Sequence, residues 1–201
     1  MPTSMIIVDD FLADAHALRQ AAMNMEFPEV QGQYPGRNSS QRVSVPGLDE
    51  HVSRLVGEPL RPLAPQEAHG KFRIALAEDI GKGKVHVDRA HWSGILYLSL
   101  PEHCQGGTEF FRHIPTNTER APYNDQEAAA LGGSSARQWV ADVLEDSNDD
   151  SKWEMTMRVP MRFNRLILLR PWLWHTAGEN FGDSLENGRL VYLLFYASAA
   201  Q

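Results

Sequence analysis

His86 and Asp88 stand two residues apart, His175 follows an apolar run over residues 163–174, and Arg189 opens the last apolar stretch. Two imidazoles and one carboxylate are the ligand set of non-heme Fe(II) sites, which leave one face of the ion open to substrate and oxygen. In extended backbone, residues i and i+2 point to the same side, so His86 and Asp88 can address one ion. An arginine at the start of a late strand can hold a dicarboxylate cosubstrate through a bidentate ion pair. By itself the His-x-Asp spacing carries little: with 8 His in 201 residues, chance produces it roughly 0.5 times per chain of this kind. A solvated loop histidine beside an aspartate is the plain alternative.

The surroundings favour the metal reading. Ile95-Leu96-Tyr97-Leu98 and Gly106-Gly107-Thr108-Glu109-Phe110-Phe111 follow the pair, and Leu166-Ile167-Leu168-Leu169 precedes His175. These are short strand-like runs broken by turn residues, as a barrel or jelly roll requires. Further strands are expected over residues 5–8, 72–76, 94–100, 153–158 and 190–196. Asp14 is placed to cap a helix running to about Met25, with Ala15, Leu18, Ala22 and Met25 on one face. Gly47-Leu48-Asp49 opens a second helix to about Leu60, and Pro62 and Pro65 close that region. Residues 28–45 read as irregular, with Tyr34-Pro35-Gly36-Arg37 as a turn; Arg37, Asn38 and Gln41 are loop polars or substrate contacts.

Between residues 114 and 152 the composition turns alanine-rich and acidic. Two short helices are expected there, over residues 126–131 and 135–144, followed by a solvated turn at residues 147–151. The segment is too short for its own core, so the chain reads as one domain, 1–201, with a helical insertion at 114–152. That insertion is either a solvent cover over a sheet edge or a weakly packed lid over the site, with residues 132–135 as hinge and Trp139 and Trp153 as anchors.

The net charge of −7 argues against nucleic-acid binding, which needs a basic surface. Lys82, Lys84 and Arg89 flank the motif as a solvated face, or as a field that draws anions inward. A lone cysteine, Cys104, forbids an intrachain disulfide and fits a reducing, cytoplasmic setting. As a nucleophile it would need a base such as His103, and its loop reads instead as a strand connection. No signal peptide or membrane-length apolar run is evident.

In their order along the chain these segments resemble the Fe(II)/2-oxoglutarate-dependent dioxygenase superfamily, most closely its prolyl-hydroxylase-like branch. His86-Val87-Asp88 resembles the proximal iron ligands, and His175-Thr176-Ala177-Gly178 the distal ligand and its turn. Leu96-Tyr97-Leu98-Ser99 is similar to the strand whose tyrosine touches the cosubstrate, and Gly188-Arg189-Leu190-Val191-Tyr192 to the strand carrying its arginine. The Val-Asp-Asp-Phe-Leu turn at residues 8–12, the Gly106-Gly107 segment and Val159-Pro160 with Arg165-Leu166 complete the likeness. Asn164 replaces a usual glycine and tolerates the same left-handed geometry. The insertion at 114–152 has no counterpart in the family.

The resemblance implies a double-stranded β-helix (jelly roll), mainly β with supporting N-terminal helices. It implies Fe(II) held by His86, Asp88 and His175, with 2-oxoglutarate as cosubstrate, bound by Arg189 and Tyr97. It implies hydroxylation by O2 of a small molecule or a peptide or protein side chain, with no nucleic-acid or membrane partner. Related halogenases lack the carboxylate ligand, so Asp88 favours hydroxylation. Two alternatives stay open: a jelly-roll metal-binding or ligand-binding module without oxygenase turnover, and a zinc hydrolase on the same ligands. Arg189 as an ordinary salt-bridge partner and Tyr97 as core are the plain readings of those residues. Arg165 and Arg170 are the rival cations, and His91, His103 and His113 the rival ligands. Trp172 and Trp174 read as pocket wall or core, and His16, His51 and His69 as surface histidines.

Overall fold

A computed structural model describes residues 3–29, 35–65, 67–81 and 83–200; Tyr34 of the expected turn and Lys82 lie outside the described residues. Two sheets face each other. The larger takes β1 (Met5–Val8), β2 (Arg37–Asn38), β3 (Leu60–Pro62), β4 (Phe72–Ala75), β5 (Trp92–Tyr97), β8 (Leu166–Leu169) and β10 (Arg189–Ser198), in the order β1-β8-β5-β10-β4-β2 with β3 also on β10. The smaller takes β6 (Gly107–His113), β7 (Trp153–Pro160) and β9 (His175–Thr176), in the order β7-β6-β9. His86 continues that sheet beyond β9: its backbone exchanges both hydrogen bonds with His175, at 2.9 and 3.1 Å. This is the jelly roll, mainly β with four α-helices among the described residues.

Alternation along the central strands sorts their side chains between two cores. Phe72, Ile74, Leu96, Leu190, Tyr192 and Leu194 face α1 (Ala15–Met23) and α2 (Leu48–Val56). Tyr97, Ile167, Leu169, Val191 and Leu193 face inward, against Phe110 and Val159 of the smaller sheet. The Asp14 carboxylate caps α1 by accepting from the Ala17 amide at 2.9 Å, as its position predicts. Asn164 has φ of 61°, and its side chain binds both the amide and the carbonyl of Leu12, at 2.9 and 2.8 Å. A left-handed asparagine thus docks the N-terminal turn onto the strand leading to His175.

Three expectations about this framework change. The second helix stops at Val56, because Gly57 turns left-handed with φ of 71°, and Leu60–Pro62 then forms β3. Proline is tolerated there because β3 is an edge strand. Arg37 and Asn38 are not loop residues but a short strand on β4. His69 is buried rather than on the surface, 3.4 Å from Asp49 and beneath Tyr196.

The insertion contains α3 (Asp125–Ala130) and α4 (Ala136–Leu144), close to the predicted helices. They do not pack weakly. Ala128, Trp139 and Val143 join Val85, Phe111, Trp153 and Trp174 in a third apolar cluster. Trp174 lies 6.1 Å from the Trp139 ring and 5.6 Å from the Trp153 ring. Phe110 and Phe111 are sequence neighbours that enter different clusters, so the helices back the outer face of the smaller sheet. Among the described residues no helix is long and apolar enough to cross a membrane.

Candidate metal and cosubstrate site

His86, Asp88 and His175 come together, with one ligand atom from each within 4.8 Å of the others. The backbone pairing of His86 with His175 sets the two imidazoles side by side, their ring centres 4.4 Å apart. The Asp88 amide donates to the Pro171 carbonyl at 3.1 Å, which holds the strand extended and keeps Asp88 on the His86 side. His86 Nε2 is 3.7 Å and His175 Nε2 3.5 Å from the Asp88 carboxylate oxygens. An ion with bonds of about 2.1 Å can bridge such spans.

Backbone carbonyls decide which imidazole nitrogens turn inward. His86 Nδ1 is 3.0 Å from the Lys84 carbonyl and His175 Nδ1 is 2.7 Å from the Leu173 carbonyl. A carbonyl only accepts, so each Nδ1 carries hydrogen and each Nε2 is the ligating nitrogen of the neutral ring. Ser93 Oγ donates to Asp88 Oδ2 at 2.7 Å and fixes the carboxylate from the β5 side. Burial, reinforced by His175, pushes His86 down to about 4, so it is neutral at neutral pH. Burial opposes ionisation of Asp88, but the hydrogen bond and charge of His175, then the charge of His86 and the Ser93 hydroxyl, outweigh it and hold the carboxyl well below its usual range. Burial also works against the His175 proton, yet Asp88 raises its pKa overall. A metal ion bound at Nε2 would take the place of that proton.

The three side chains form one wall of a cavity of about 210 Å³ between the sheets. Val191, Leu193 and Phe195 of β10, Ile95 of β5 and Ala75 of β4 line the opposite wall. Arg189, at the start of β10, projects into it. It is 3% exposed, its Nε has no hydrogen-bond partner among the described residues, and no carboxylate of those residues lies within ion-pair distance. Burial lowers its pKa from the ordinary guanidinium value. The rival cations are engaged: Arg170 pairs with Glu58 and stacks on Trp92, and Arg165 binds Asp9 at 2.5 Å. The rival ligands are engaged too, His91 by Glu58 at 2.5 Å and His113 by Asp146 at 3.1 Å. Cys104 is half-buried, and burial raises its thiol pKa, which suits a structural cysteine.

Tyr97 lies next to the cavity but does not line it. Its hydroxyl is taken by the Thr108 side chain at 2.7 Å and the Thr108 amide at 2.9 Å, while the Arg189 guanidinium sits 5.9 Å from its ring centre. In this position it flanks Arg189. Trp174 is core, fully buried, as one of its two expected readings has it. Arg37 and Gln41 do not line the cavity.

Two contributors escaped the sequence reading. Arg73, on the cavity face of β4, donates to the Pro35 carbonyl at 2.7 and 3.0 Å and to Asn38 Oδ1 at 3.2 Å. Its position in Phe72–Ala75 alternates with the core residues Phe72 and Ile74, a signal that places it on the other face. Ser147, expected in a solvated turn, is buried. Its Oγ donates to the Val85 carbonyl at 2.7 Å and accepts from the Lys84 amide at 3.0 Å. The insertion is thereby fastened to the strand that carries His86, and its Asn148 reaches the cavity wall. No local signal marks such a long-range pairing.

Residues 80–196 match the model of a family described as a family of unknown function (DUF6445). No curated protein matches the chain in sequence. Among solved structures, HygX from Streptomyces hygroscopicus, crystallised with nickel, 2-oxoglutarate and hygromycin B bound, superposes with a TM-score of 0.55 at 13% identity, covering 98% of this chain and 84% of that one. SnoK, a non-heme alpha ketoglutarate dependent carbocyclase from nogalamycin biosynthesis, superposes with a TM-score of 0.56 at 16% identity, covering 99% and 87%. At these identities the likeness is one of fold alone.

Proposed function

We propose that this chain, which belongs to the DUF6445 family of unknown function, is an Fe(II)- and 2-oxoglutarate-dependent oxygenase that hydroxylates its substrate with O2. One observation carries the reading: a cavity that holds three convergent ligand atoms also holds a buried arginine with no carboxylate partner among the described residues. A jelly-roll module that only bound an apolar ligand would have no need of either feature. One neighbour in fold was crystallised with nickel and 2-oxoglutarate bound, and the other is described as alpha ketoglutarate dependent.

In this reading His86, Asp88 and His175 hold the iron through two Nε2 atoms and one carboxylate. Bound iron supplies oxygen activation coupled to oxidative decarboxylation of 2-oxoglutarate to succinate. The protein's part is placement. The Lys84 and Leu173 carbonyls keep both Nδ1–H bonds turned away from the ion. Ser93 orients Asp88, and an ionised Asp88 offsets part of the metal charge. Arg189 pairs with the distal carboxylate of 2-oxoglutarate, which compensates a guanidinium that burial otherwise destabilises. Ile95, Val191 and Leu193 keep water from the cosubstrate stem. Asp88 occupies a coordination position that a halogenase leaves for halide, so hydroxylation is the favoured outcome. The substrate is a small molecule or a side chain that enters the same cavity, in a cytoplasmic protein without nucleic-acid or membrane partners.

The test is succinate formation in air from 2-oxoglutarate with Fe(II), in the wild type and in Asp88→Ala and Arg189→Met. Slow turnover without added substrate is expected in the wild type and loss in both variants. Equal succinate in all three, or none with the wild type while zinc supports hydrolysis of ester or amide probes, rejects the oxygenase reading.

A further inference from the structure

Strand β10 runs past a gap in its neighbours. β4 pairs with it from Arg189 to Tyr192 and β3 from Tyr196 to Ser198, so residues 193–195 face the segment that joins β3 to β4. Leu193 finds backbone partners there: its carbonyl accepts from the Gly70 amide at 2.8 Å and its amide donates to the Lys71 carbonyl at 2.9 Å. Phe195 differs. Its carbonyl accepts from the Leu63 amide at 2.9 Å, but its amide donates to a side chain, Nδ1 of His69, at 3.0 Å. A ring nitrogen that accepts carries no hydrogen, so neutral His69 holds its hydrogen on Nε2, toward Asp49 Oδ1 3.4 Å away. The same Nδ1 is 2.9 Å from the Phe195 carbonyl. A proton added at Nδ1 takes that carbonyl as its acceptor and leaves the Phe195 amide facing a donor. His69 therefore clamps the Phe195 amide in its neutral form only.

The ring is buried, and it lines a second cavity of about 280 Å³ together with Arg42, Asp49 and Tyr192. The charged and titratable groups around it are Asp49 of α2, Arg42 of the segment before α2, and Tyr192 and Tyr196 of β10. Burial lowers the His69 pKa from its ordinary value; Asp49 opposes that effect and Arg42 adds to it. The clamp is thus complete at neutral pH and is lost as pH falls below the ordinary histidine range.

From Phe195 the path to the metal site is short. Phe195 and Ser93 are direct register partners in β10 and β5. The Phe195 amide and carbonyl face away from β5, so this is the non-hydrogen-bonded kind of pair, with the side chains closest. Both side chains line the metal cavity, and Ser93 orients Asp88.

We infer that His69 is a positioning residue: neutral, it holds the Phe195–Ser93 wall of the metal cavity from behind the sheet, and protonated, it releases that wall, so that a group outside the metal site makes the site acid-sensitive. The inference rests on the metal-site part of the proposed function and adds a residue to it.

The test follows Zn(II)-loaded protein, isotope-labelled at phenylalanine, from neutral pH to about pH 5. Wild type is compared with His69→Asn, which places a non-titrating acceptor where Nδ1 lies, and with His69→Leu, which offers none. In the wild type the Phe195 amide resonance should move with the protonation of the His69 ring. Zn(II) affinity, read by chelator competition, should fall on the acid side by about threefold or more beyond the fall in His69→Asn, short of the tenfold or more that outright loss of a hydrogen bond to a metal ligand brings. His69→Asn should match the wild type at neutral pH and show no Phe195 titration. His69→Leu should bind zinc more weakly than both at neutral pH; if it does not fold, the comparison of wild type with His69→Asn decides. A Phe195 amide that ignores pH in the wild type overturns the inference. So do zinc affinities of wild type and His69→Asn that run parallel over the whole range, because His69 then only braces the backbone. Wild type that takes up no metal at any pH rejects the proposed function, and the positioning role falls with it.

Discussion

Replacing Arg189 by methionine separates cosubstrate binding from every other property of the site. The side chain is 3% exposed, and its Nε has no partner among the described residues. In the ligand-free protein this is a desolvated cation facing a cavity, which costs free energy. With a carboxylate bound, the same group makes a charge-assisted pair. Truncating one side of a buried charge pair costs about 2–5 kcal/mol, and each 1.4 kcal/mol is about tenfold in affinity. The lower half of that range applies, because Met also removes the penalty of the unpaired guanidinium. Arg189→Met should therefore weaken 2-oxoglutarate by roughly 30- to 300-fold. Methionine keeps the apolar stem over Tyr97, so the melting temperature without ligand should be equal to or above the wild type. Calorimetric titration of 2-oxoglutarate into Mn(II)-loaded protein reads the first quantity and a thermal melt the second. Unchanged cosubstrate affinity would refute the reasoning. Since Arg170 and Arg165 are tied to Glu58 and Asp9, it would shift the role to Arg73.

His175→Ala should lose most of its iron on reconstitution, because the protein then supplies only two ligands; His91→Ala, whose ring pairs with Glu58 outside the cavity, should load normally, and the reverse pattern by metal analysis would mean a misassigned ligand. Ser147→Ala removes two buried hydrogen bonds to the His86 strand, so denaturant melts should show a loss of about 1–3 kcal/mol and metal titration a weaker site, whereas intact stability would show that the insertion does not brace that strand. Trp139→Ala empties the cluster around Trp174 and should cost about 3–5 kcal/mol, measured by the same melts; a cost below about 1 kcal/mol would restore the weakly packed lid. Limited proteolysis should cut first at residues 132–134, where Gly132 has open space around it, and not at residues 146–151, where Ser147 is anchored; early cutting at the second place would show that the anchor opens.

Much of this layout is legible in local sequence. Met5–Val8 and Leu166–Leu169 are strands with the expected bounds, because short apolar runs between turn residues have few other homes. The His86–Asp88 spacing announces two ligands on one side of an extended segment, and Asn164 announces its left-handed turn. What escaped depends on partners far along the chain. Leu60–Pro62 becomes a strand because β10 extends far enough to pair with it, although Pro62 and Pro65 read as a break. His69 is buried through Asp49 and Tyr196, neither of which is near it in sequence. Tyr97 alternates correctly toward the inner face, but Thr108 takes its hydroxyl, and no feature of residues 96–99 foretells that. The insertion is too short for a core of its own, and Trp139 and Trp153 do serve as its anchors, but the Trp174 they pack on lies beyond any local signal. Alternation tells which face Arg73 occupies; the cavity on that face exists only once both sheets are in place.

The central claim is that one cavity holds both Fe(II), on His86, Asp88 and His175, and 2-oxoglutarate, on Arg189. Anaerobic addition of 2-oxoglutarate to Fe(II)-loaded protein, followed by visible absorption, tests it most directly. A weak metal-to-ligand charge-transfer band should appear with 2-oxoglutarate. It should be absent with succinate, absent in His175→Ala, and require far more cosubstrate in Arg189→Met. Fe(II)-loaded wild type that takes up 2-oxoglutarate without such a band, or that gives it equally with His175 removed, would contradict the assignment of metal and cosubstrate to this site.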